Sequence, residues 1–183
     1  ISQDIDFTYY DDALSYESRR DKARKNSFNY LGMELNIPNL HRIECFDISN
    51  IQGKNAYGSM VVAEDGKLNR SEYRIFKIKG GDKPNDYKML REVLERRFKD
   101  KDKKVDLVLI DGGKGQLNAI KDITPKKVSL MGISKGRYLK RKGKNSVDEF
   151  WILKDGNVYR IDIASPEILI DLRNEAHRFA ISY

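Results

Sequence analysis

Two stretches decide the fold of this chain: Ile43-Glu-Cys-Phe-Asp47-Ile-Ser49 and Leu107-Val-Leu-Ile-Asp111-Gly-Gly113. Each is a short apolar run, typical of a β-strand, that ends in an aspartate. A buried strand normally excludes an ionised carboxylate, because that group is costly to desolvate. Two strands with the same exception indicate that Asp47 and Asp111 meet and that a cation lies between them. In a chain rich in basic residues, such a pair is typical of a metal-dependent phosphodiesterase site.

Composition narrows the class of protein. The chain has 183 residues, enough for one domain with its own core, and begins at Ile1, which predicts a piece of a longer protein. Its 35 Lys and Arg against 28 Asp and Glu give a net charge of +7, which favours nucleic acid as a partner before an anionic membrane surface. The single cysteine, Cys45, excludes an internal disulfide and indicates a reducing compartment, so we expect a cytoplasmic protein. The sequence predicts neither a signal peptide nor a membrane span.

The order of the predicted elements indicates the fold. Periodicity predicts helices near 9–31, 84–99 and 116–121 and from 165 onward, and strands near 42–49, 56–63, 68–78, 105–110, 127–133, 149–153 and 157–161. Short connections such as Asp65-Gly66 make the first three strands an antiparallel meander. The fully apolar run before Asp111 is typical of a parallel strand covered on both faces.

This order predicts an RNase H-like α/β fold, with three antiparallel strands followed by parallel strands and flanking helices. In such a sheet the first strand lies beside the fourth, so Asp47 and Asp111 come together. We expect residues 1–40 to form an N-terminal helix and linker packed on a domain of residues 41–183.

Two helices carry more detailed predictions. The second should open at Pro84 and bury Tyr87, Leu90, Leu94 and Phe98. The last should begin at the cap Ser165-Pro166-Glu167 and bury Ile168, Leu172, Ala176 and Phe179.

A third ligand beside the two aspartates is expected from this last helix. His177 follows Ala176 at the edge of the predicted buried stripe, so its imidazole could face a cleft or serve a structural role. Glu175 is the second candidate ligand. Asp86 lies in the first turn of the second helix, where the helix dipole favours a carboxylate whatever its function.

Basic residues near the site predict contacts with phosphate. The turn Gly112-Gly-Lys-Gly115 fails the Walker pattern, because Gly115 stands where Ser or Thr would follow the lysine. Its glycines instead let the backbone turn away from Asp111 and leave room for a nucleic-acid strand. The basic segment 135–144 could follow a phosphodiester backbone or remain a solvated loop. The candidate DNA-binding residues are Lys114, Lys135, Arg137, Lys140, Arg141 and Arg178.

Four motifs closely resemble the endonuclease half of the UvrC family of excinucleases, over about residues 40 to 183. They are Arg42-Ile-Glu-Cys-Phe-Asp-Ile-Ser49 with Gln52-Gly53, Tyr73-Arg74 with Phe76-Lys-Ile78, Leu109-Ile-Asp-Gly-Gly-Lys-Gly-Gln-Leu117 and Asn174-Glu-Ala-His-Arg-Phe-Ala-Ile-Ser-Tyr183. The resemblance implies an RNase H-like domain that makes the 5′ incision in bacterial nucleotide excision repair, with an Asp-Asp-His triad similar to that of Argonaute proteins. By motif, the triad falls on Asp47, Asp111 and His177, and a further acidic position of the family falls on Asp86.

The resemblance also implies Mg²⁺ or Mn²⁺ as cofactor, damaged double-stranded DNA as substrate and UvrB as partner of the full-length protein. Asn50 departs from the family, which often has histidine there, and the segment 136–146 is longer and more basic than expected. Nothing here resembles the family's GIY-YIG domain, UvrB-binding motif or helix-hairpin-helix pair, so we expect an isolated catalytic domain. Two other functions stay open: an RNA- or hybrid-directed nuclease of the RNase H or Argonaute type, and a non-catalytic nucleic-acid-binding module.

Overall fold

The computed structural model describes residues 7–51, 55–79, 85–136 and 147–183. These residues form four α-helices and one mixed sheet of eight strands. The helices are α1 (Phe7–Glu34), α2 (Asp86–Lys99), α3 (Lys114–Ile120) and α4 (Glu167–Ser182). The strands are β1 (Arg42–Ile51), β2 (Asn55–Glu64), β3 (Lys67–Leu68), β4 (Arg74–Lys77), β5 (Leu107–Asp111), β6 (Ser129–Lys135), β7 (Asp148–Lys154) and β8 (Asn157–Ile161). Pro84, Arg137, Lys140 and Arg141 lie outside the described residues.

The sheet has the predicted topology. Its strand order is β3-β2-β1-β5-β6-β7-β8, with β4 paired to β2. The strands β1, β2 and β4 are antiparallel, β5 is parallel to β1, and β6 is parallel to β5. The strand that follows α2, β5, therefore lies beside the first, which confirms the RNase H-like α/β prediction.

The sheet separates two apolar cores, because alternate residues of a strand point to opposite faces. In β1, Ile43 and Cys45 face the side of α1 and α4, whereas Phe46 faces the side of α2 and α3. The same alternation in β5 directs Leu107 and Leu109 toward α4. Both faces of the central strands are thus covered by helices, as the apolar run of β5 predicted. No helix in the described part of the chain is both long enough and apolar enough to cross a membrane.

The predicted third strand is interrupted, which corrects the single strand expected over 68–78. The strand β3 has two residues, a 3₁₀ turn follows at Arg70–Glu72, and β4 begins at Arg74. Asn69 explains the break, since its side chain donates a hydrogen bond to Glu64 and accepts one from the hydroxyl of Ser71. Such local side-chain bonds compete with a continuous strand.

Two helix starts also differ from the predictions. The helix α2 begins at Asp86, not at Pro84, because the Asn85 side chain caps it by accepting the Lys88 N–H at 3.1 Å. The helix α4 begins at Glu167, with Pro166 at the cap position and no side-chain cap, so Ser165 does not cap it as predicted.

The buried faces of these helices are shifted from the predicted ones. Tyr87 is exposed, and Phe98 and, on α4, Ile168 and Phe179 are only partly buried. The buried residues of α2 are Met89, Leu90, Val93, Leu94 and Arg97, and those of α4 are Leu169, Leu172, Ala176 and Ala180. Leu90, Leu94, Leu172 and Ala176 are thus buried as predicted, and the other buried positions widen each stripe beyond one residue per turn.

A buried carboxylate on β1 is fully compensated. Glu44 is 0% exposed and accepts hydrogen bonds from Arg97 Nε at 2.6 Å, Arg97 Nη2 at 2.7 Å and Arg42 Nε at 2.8 Å. Arg97 also donates to the carbonyl oxygens of Asp100 and Lys103. This network ties β1 to α2 and to the loop before β5, on the side of the sheet away from α4.

The helix α1 is attached through its last turns. Phe28, Leu31 and Leu35 at this end join the core beneath α4, whereas residues 15–23 are exposed. The hairpin turn between β2 and β3 also contacts α1: a Cβ on Gly66 would overlap the backbone carbonyl of Arg24. Gly66 has a φ of +82°, in the left-handed region that favours glycine.

Replacing Gly66 by alanine tests this contact against a matched hairpin. Gly156, in the Asp155-Gly156 turn, has a φ of +78° but open space where a Cβ would lie. We expect Gly156→Ala to lower the free energy of unfolding by about 1 kcal/mol through backbone strain. Gly66→Ala should lose roughly 1–3 kcal/mol more, because α1 must also move away. Urea unfolding measures both losses, and equal losses would contradict the contact with α1.

Candidate active site on two parallel strands

Asp47 and Asp111 are brought together by strand register. The parallel pairing of β1 with β5 sets Cys45 opposite Leu109 and Phe46 opposite Ile110. One more residue along the same register sets Asp47 opposite Asp111, at the spacing of neighbouring strands, about 4.8 Å. Since side chains alternate, both carboxylates point to the same face as Cys45 and Leu109, which is the face covered by α4.

His177 joins this pair from α4. Its Nδ1 lies 3.2 Å from Asp47 Oδ2, and its side chain is 66% exposed, so the imidazole stands at the rim of the core. Asp47 is only 9% exposed. The last helix therefore supplies a nitrogen ligand candidate beside the middle of β1 and the carboxyl end of β5.

The carboxylates lie where negative charge is unfavourable. Burial raises the pKa of Asp47, the charge of Asp111 raises it further, and His177 opposes the shift. Burial also raises the pKa of Asp111, although its side chain keeps contact with solvent at the strand end; Arg173, His177 and Lys135 oppose this shift. The charge of Asp111 therefore adds to the effect of burial on the pKa of Asp47.

The contrast with Glu44 indicates what the site is built for. Both carboxylates lie on β1, but Glu44 is held by two arginines, whereas Asp47 has only the imidazole of His177 among the described side chains. The fold thus neutralises Glu44 with two guanidinium groups but supplies no such group to Asp47 among the described residues. This is typical of a functional site, where strain persists because the rest of the fold supports it.

The donor set suits a divalent cation. Asp47 and Asp111 offer the hard oxygen ligands that Mg²⁺ and Mn²⁺ prefer, and an added cation would relieve the repulsion that raises the pKa of Asp47. Within the described ranges, no three His, Cys, Asp or Glu side chains converge closely enough to enclose a metal ion by themselves. The remaining ligands of a bound cation would therefore come from water and from a phosphate group.

Arg173 and its partner Asp148 lie beside the site and were missed by the sequence analysis. Arg173 lies one helical turn before His177 on α4, and its Nη1 donates to Asp148 Oδ1 on β7 at 2.6 Å. In the pairing of β6 with β7, Asp148 faces Lys135. The positive charges of Arg173 and Lys135 both act on Asp111. The spacing between Arg173 and His177 was the one signal that sequence reasoning could have used.

The other predicted ligands have different surroundings. Glu175 accepts hydrogen bonds from the hydroxyl of Tyr73 at 3.1 Å and from Arg178, so it is not a ligand beside Asp47. Burial raises the pKa of Tyr73 to about 12, and the charge of Glu175 and its hydrogen bond to the tyrosine add to this shift. Asp86 is exposed at the start of α2, the helix that packs on the other face of the sheet from Asp47 and Asp111.

The predicted DNA-binding residues fall into two groups. Lys114 is exposed at the first position of α3, just after the turn that follows Asp111, and Lys135 is exposed at the end of β6. Arg178 is also exposed, but its guanidinium donates to both Glu175 oxygens, at 2.8 and 2.6 Å. Its charge is therefore partly neutralised.

The glycine turn after Asp111 is held against β6. The Gly112 N–H donates to the carbonyl of Ile133 at 2.8 Å. A Cβ on Gly132 would overlap the carbonyl oxygen of Gly112, so this close approach requires glycine. The turn thus packs closely against β6, and the Asp111 side chain beside it is exposed.

Neutralising Asp111 should stabilise the metal-free chain. Because the folded state raises the pKa of Asp111, ionisation costs stability at neutral pH, and the cost disappears as pH falls and the group is protonated in both states. We expect Asp111→Asn to raise the free energy of unfolding by less than about 1 kcal/mol, since solvent screens this side chain. Urea unfolding in the presence of a chelator measures the effect.

Asp122→Asn is the matched control. Arg91 lowers the pKa of Asp122 by donating to both of its oxygens, at 2.7 and 2.8 Å. The same substitution should therefore decrease stability there. A destabilised Asp111→Asn chain would contradict the electrostatic description of the site.

Comparison with known proteins identifies the family. The model of the UvrC RNase H endonuclease domain matches residues 32–181. The UvrABC system protein C of Fusobacterium nucleatum is 40% identical over 94% of this chain and 29% of its own length, and that of Streptococcus uberis is 38% identical over 88% and 28%. The chain thus spans less than a third of the length of these curated relatives.

Solved structures were also compared. The catalytic domain of human endonuclease V is 17% identical, with 82% of this chain and 74% of that chain covered and a TM-score of 0.39. Marinitoga piezophila Argonaute in complex with a guide RNA is 16% identical, with 75% and 26% covered and a TM-score of 0.38. The family match and the relatives agree with the four sequence motifs, and the chain belongs to the family of UvrC RNase H endonuclease domains.

Proposed function

We propose that this chain is the metal-dependent DNA endonuclease domain that makes the 5′ incision in bacterial nucleotide excision repair, acting at Asp47, Asp111 and His177. One observation carries the proposal: two carboxylates from neighbouring parallel strands share a face, with an imidazole 3.2 Å from one of them. Unlike Glu44, neither carboxylate forms an ion pair with an arginine in the part of the chain that the structure describes. A site short of positive charge at an accessible strand end suits a cation and a phosphodiester.

Asp47 and Asp111 would hold Mg²⁺ or Mn²⁺, and His177 would complete the ligand set. When bound, such an ion supplies an activated water and stabilises the charge that develops on the phosphate. Asp86 would act as an accessory group from the start of α2, outside direct contact with the other three.

The protein groups around the site have separate roles in this proposal. Asp47 would orient the His177 ring through Nδ1. Lys135 and Lys114 would neutralise phosphates on either side of the scissile bond, because both are exposed near Asp111. Water attacks the phosphorus and displaces the 3′ oxygen of the neighbouring nucleotide, which leaves a 5′-phosphate and a 3′-hydroxyl.

The proposed substrate and partner rest on the resemblance to the family. Damaged double-stranded DNA would be cut within the UvrB complex of the full-length protein, which would place the reaction in the cytoplasm. The relatives that share this domain are named for the UvrABC system, and the net charge of +7 favours a nucleic-acid substrate. Residues 41–183 would form the nuclease, with residues 1–40 as a helix and linker packed on it.

Replacing Asp47 by asparagine tests the site. We would exchange this chain for the corresponding domain of the Fusobacterium nucleatum relative and measure incision of lesion-containing duplex DNA with UvrA and UvrB. Asp47→Asn should reduce the rate on the order of 10³-fold, because it removes several kcal/mol of charge stabilisation. Glu175→Gln, the same chemical change at a carboxylate bound elsewhere, should keep the rate within about twofold of the parent, since it removes no ligand.

Three outcomes would oppose the proposal. Full cleavage by the Asp47→Asn protein would reject the site. A folded parent chimera that makes no 5′ incision would reject the assigned step. A strong preference of the chain with Mn²⁺ for an RNA–DNA hybrid over duplex DNA would favour the RNase H type of nuclease instead.

The salt dependence of DNA binding tests which basic side chains contact phosphate. It should distinguish the exposed lysines from Arg178, which is already paired with Glu175. Lys114→Gln and Lys135→Gln should each reduce the slope of log K against log salt by about 1, as expected for the loss of one phosphate contact. Arg178→Gln should reduce it less, because Glu175 already holds the guanidinium. Fluorescence anisotropy at several salt concentrations measures the slopes.

Lys103→Gln is the control for this series. Lys103 donates to Glu72 at 2.6 Å in the loop before β5, at the opposite end of that strand from Asp111. Its substitution should leave the slope unchanged. An equal effect of all four substitutions would contradict a DNA path beside Asp111.

A further inference from the structure

A buried hydroxyl connects the sheet to α4 beside the site. Ser59 on β2 is 1% exposed, and its Oγ donates to the carbonyl oxygen of Ala176 at 3.1 Å. In the β1–β2 register Ser59 is the partner of Asp47, and its Oγ also lies 3.5 Å from the Asp47 carbonyl oxygen. Ala176 directly precedes His177.

These contacts form a closed ring. Asp47 pairs with Ser59 across the strands, Ser59 bonds to the backbone of α4 at Ala176, and the next residue, His177, returns to Asp47. Each of the two connections between strand and helix constrains the other. The Ser59 hydroxyl thus holds the backbone of α4 at the residue next to His177. A small rotation of α4 about its axis at this point would move the His177 ring.

Two further side chains of α4 form hydrogen bonds beyond the helix, Arg173 with Asp148 and Glu175 with Tyr73, but the bond from Ser59 reaches the backbone of α4 itself. The remaining contact between α4 and the sheet is largely apolar. Leu169, Leu172 and Ala176 pack into the core through contacts that have no preferred direction. A hydrogen bond is directional, so it can fix the rotation and the height of a helix that apolar packing would leave free to adjust. Among the described residues, Ser59 is the one buried serine or threonine, which makes this bond unusual in the fold.

We propose that Ser59 is a positioning residue, which holds α4 so that the His177 ring meets Asp47. The importance of that position for cleavage rests on the proposed function. The effect of Ser59 on the position of the His177 ring is independent of the proposed function, and it can be measured without DNA or metal.

The chain contains two histidines, which provides an internal control. His41 precedes β1 at the end of the sheet away from Asp47, and its Nδ1 lies 2.9 Å from Asp65 Oδ1. We would record the imidazole resonances of the metal-free chain by NMR. In Ser59→Ala, the resonances of His177 should shift or broaden, whereas those of His41 should stay at their parental positions.

Incision should respond in the same variant. The UvrABC assay with the chimera should show a rate reduced roughly 10- to 100-fold, as expected for a misplaced site group, with the KM for DNA unchanged. Ser59→Thr keeps the hydroxyl and should restore both the His177 resonances and the rate. Ser182→Ala is the matched control: that hydroxyl also bonds to a helix carbonyl, of Phe179 at 2.8 Å, but within α4 itself. It should change neither readout.

A Ser59→Ala chain with parental His177 resonances would overturn the proposal. So would equal movement of both histidines, since that indicates a change of the whole fold. If the parent chimera fails to incise DNA while His177 still responds to Ser59→Ala, the proposed function falls and the positioning role stands.

Discussion

The parallel pairing of β1 with β5 is the constraint on which the rest of the site depends. Its register sets Asp47 next to Asp111, and the alternation of side chains turns both toward the same helix. A slip of one residue in either strand would send one carboxylate to the other face. The helix that covers this face, α4, is then the element that can place a third group beside the two carboxylates, and it presents His177 there.

The strand β1 shows two solutions to the burial of a carboxylate. On the side of α2, Glu44 is surrounded by guanidinium groups and contributes to a network that joins three parts of the fold. On the side of α4, Asp47 faces another carboxylate, and burial together with that charge raises its pKa. The first arrangement serves the fold. The second works against it, and such a cost persists at sites where a ligand or substrate supplies the missing charge.

Much of this fold could be predicted from sequence, because strand periodicity and the order of elements are local signals. The position of His177 also followed, since a helix that crosses the sheet must present some residue to the aspartates. The interrupted third strand was missed because the Asn69 side chain competes with the ladder, which no periodicity shows. Arg173 and Ser59 were missed for another reason: their partners, on β7 and α4, are distant in sequence and adjoin only after folding. The choice between His177 and Glu175 likewise depended on Tyr73, more than a hundred residues away.

The helix α4 both closes a core and carries His177, whereas α2 and α3, on the other face, carry no member of the group Asp47, Asp111 and His177. The two faces of the sheet therefore differ in what genetic variation can do. Poor packing beneath α2 and α3 should mainly lower the amount of folded protein. Poor packing beneath α4 should also displace His177, so under the proposed function it would lower the activity of the molecules that do fold. A screen for chains that are abundant but inactive would thus recover core positions from one face of the sheet, far more often than from the other.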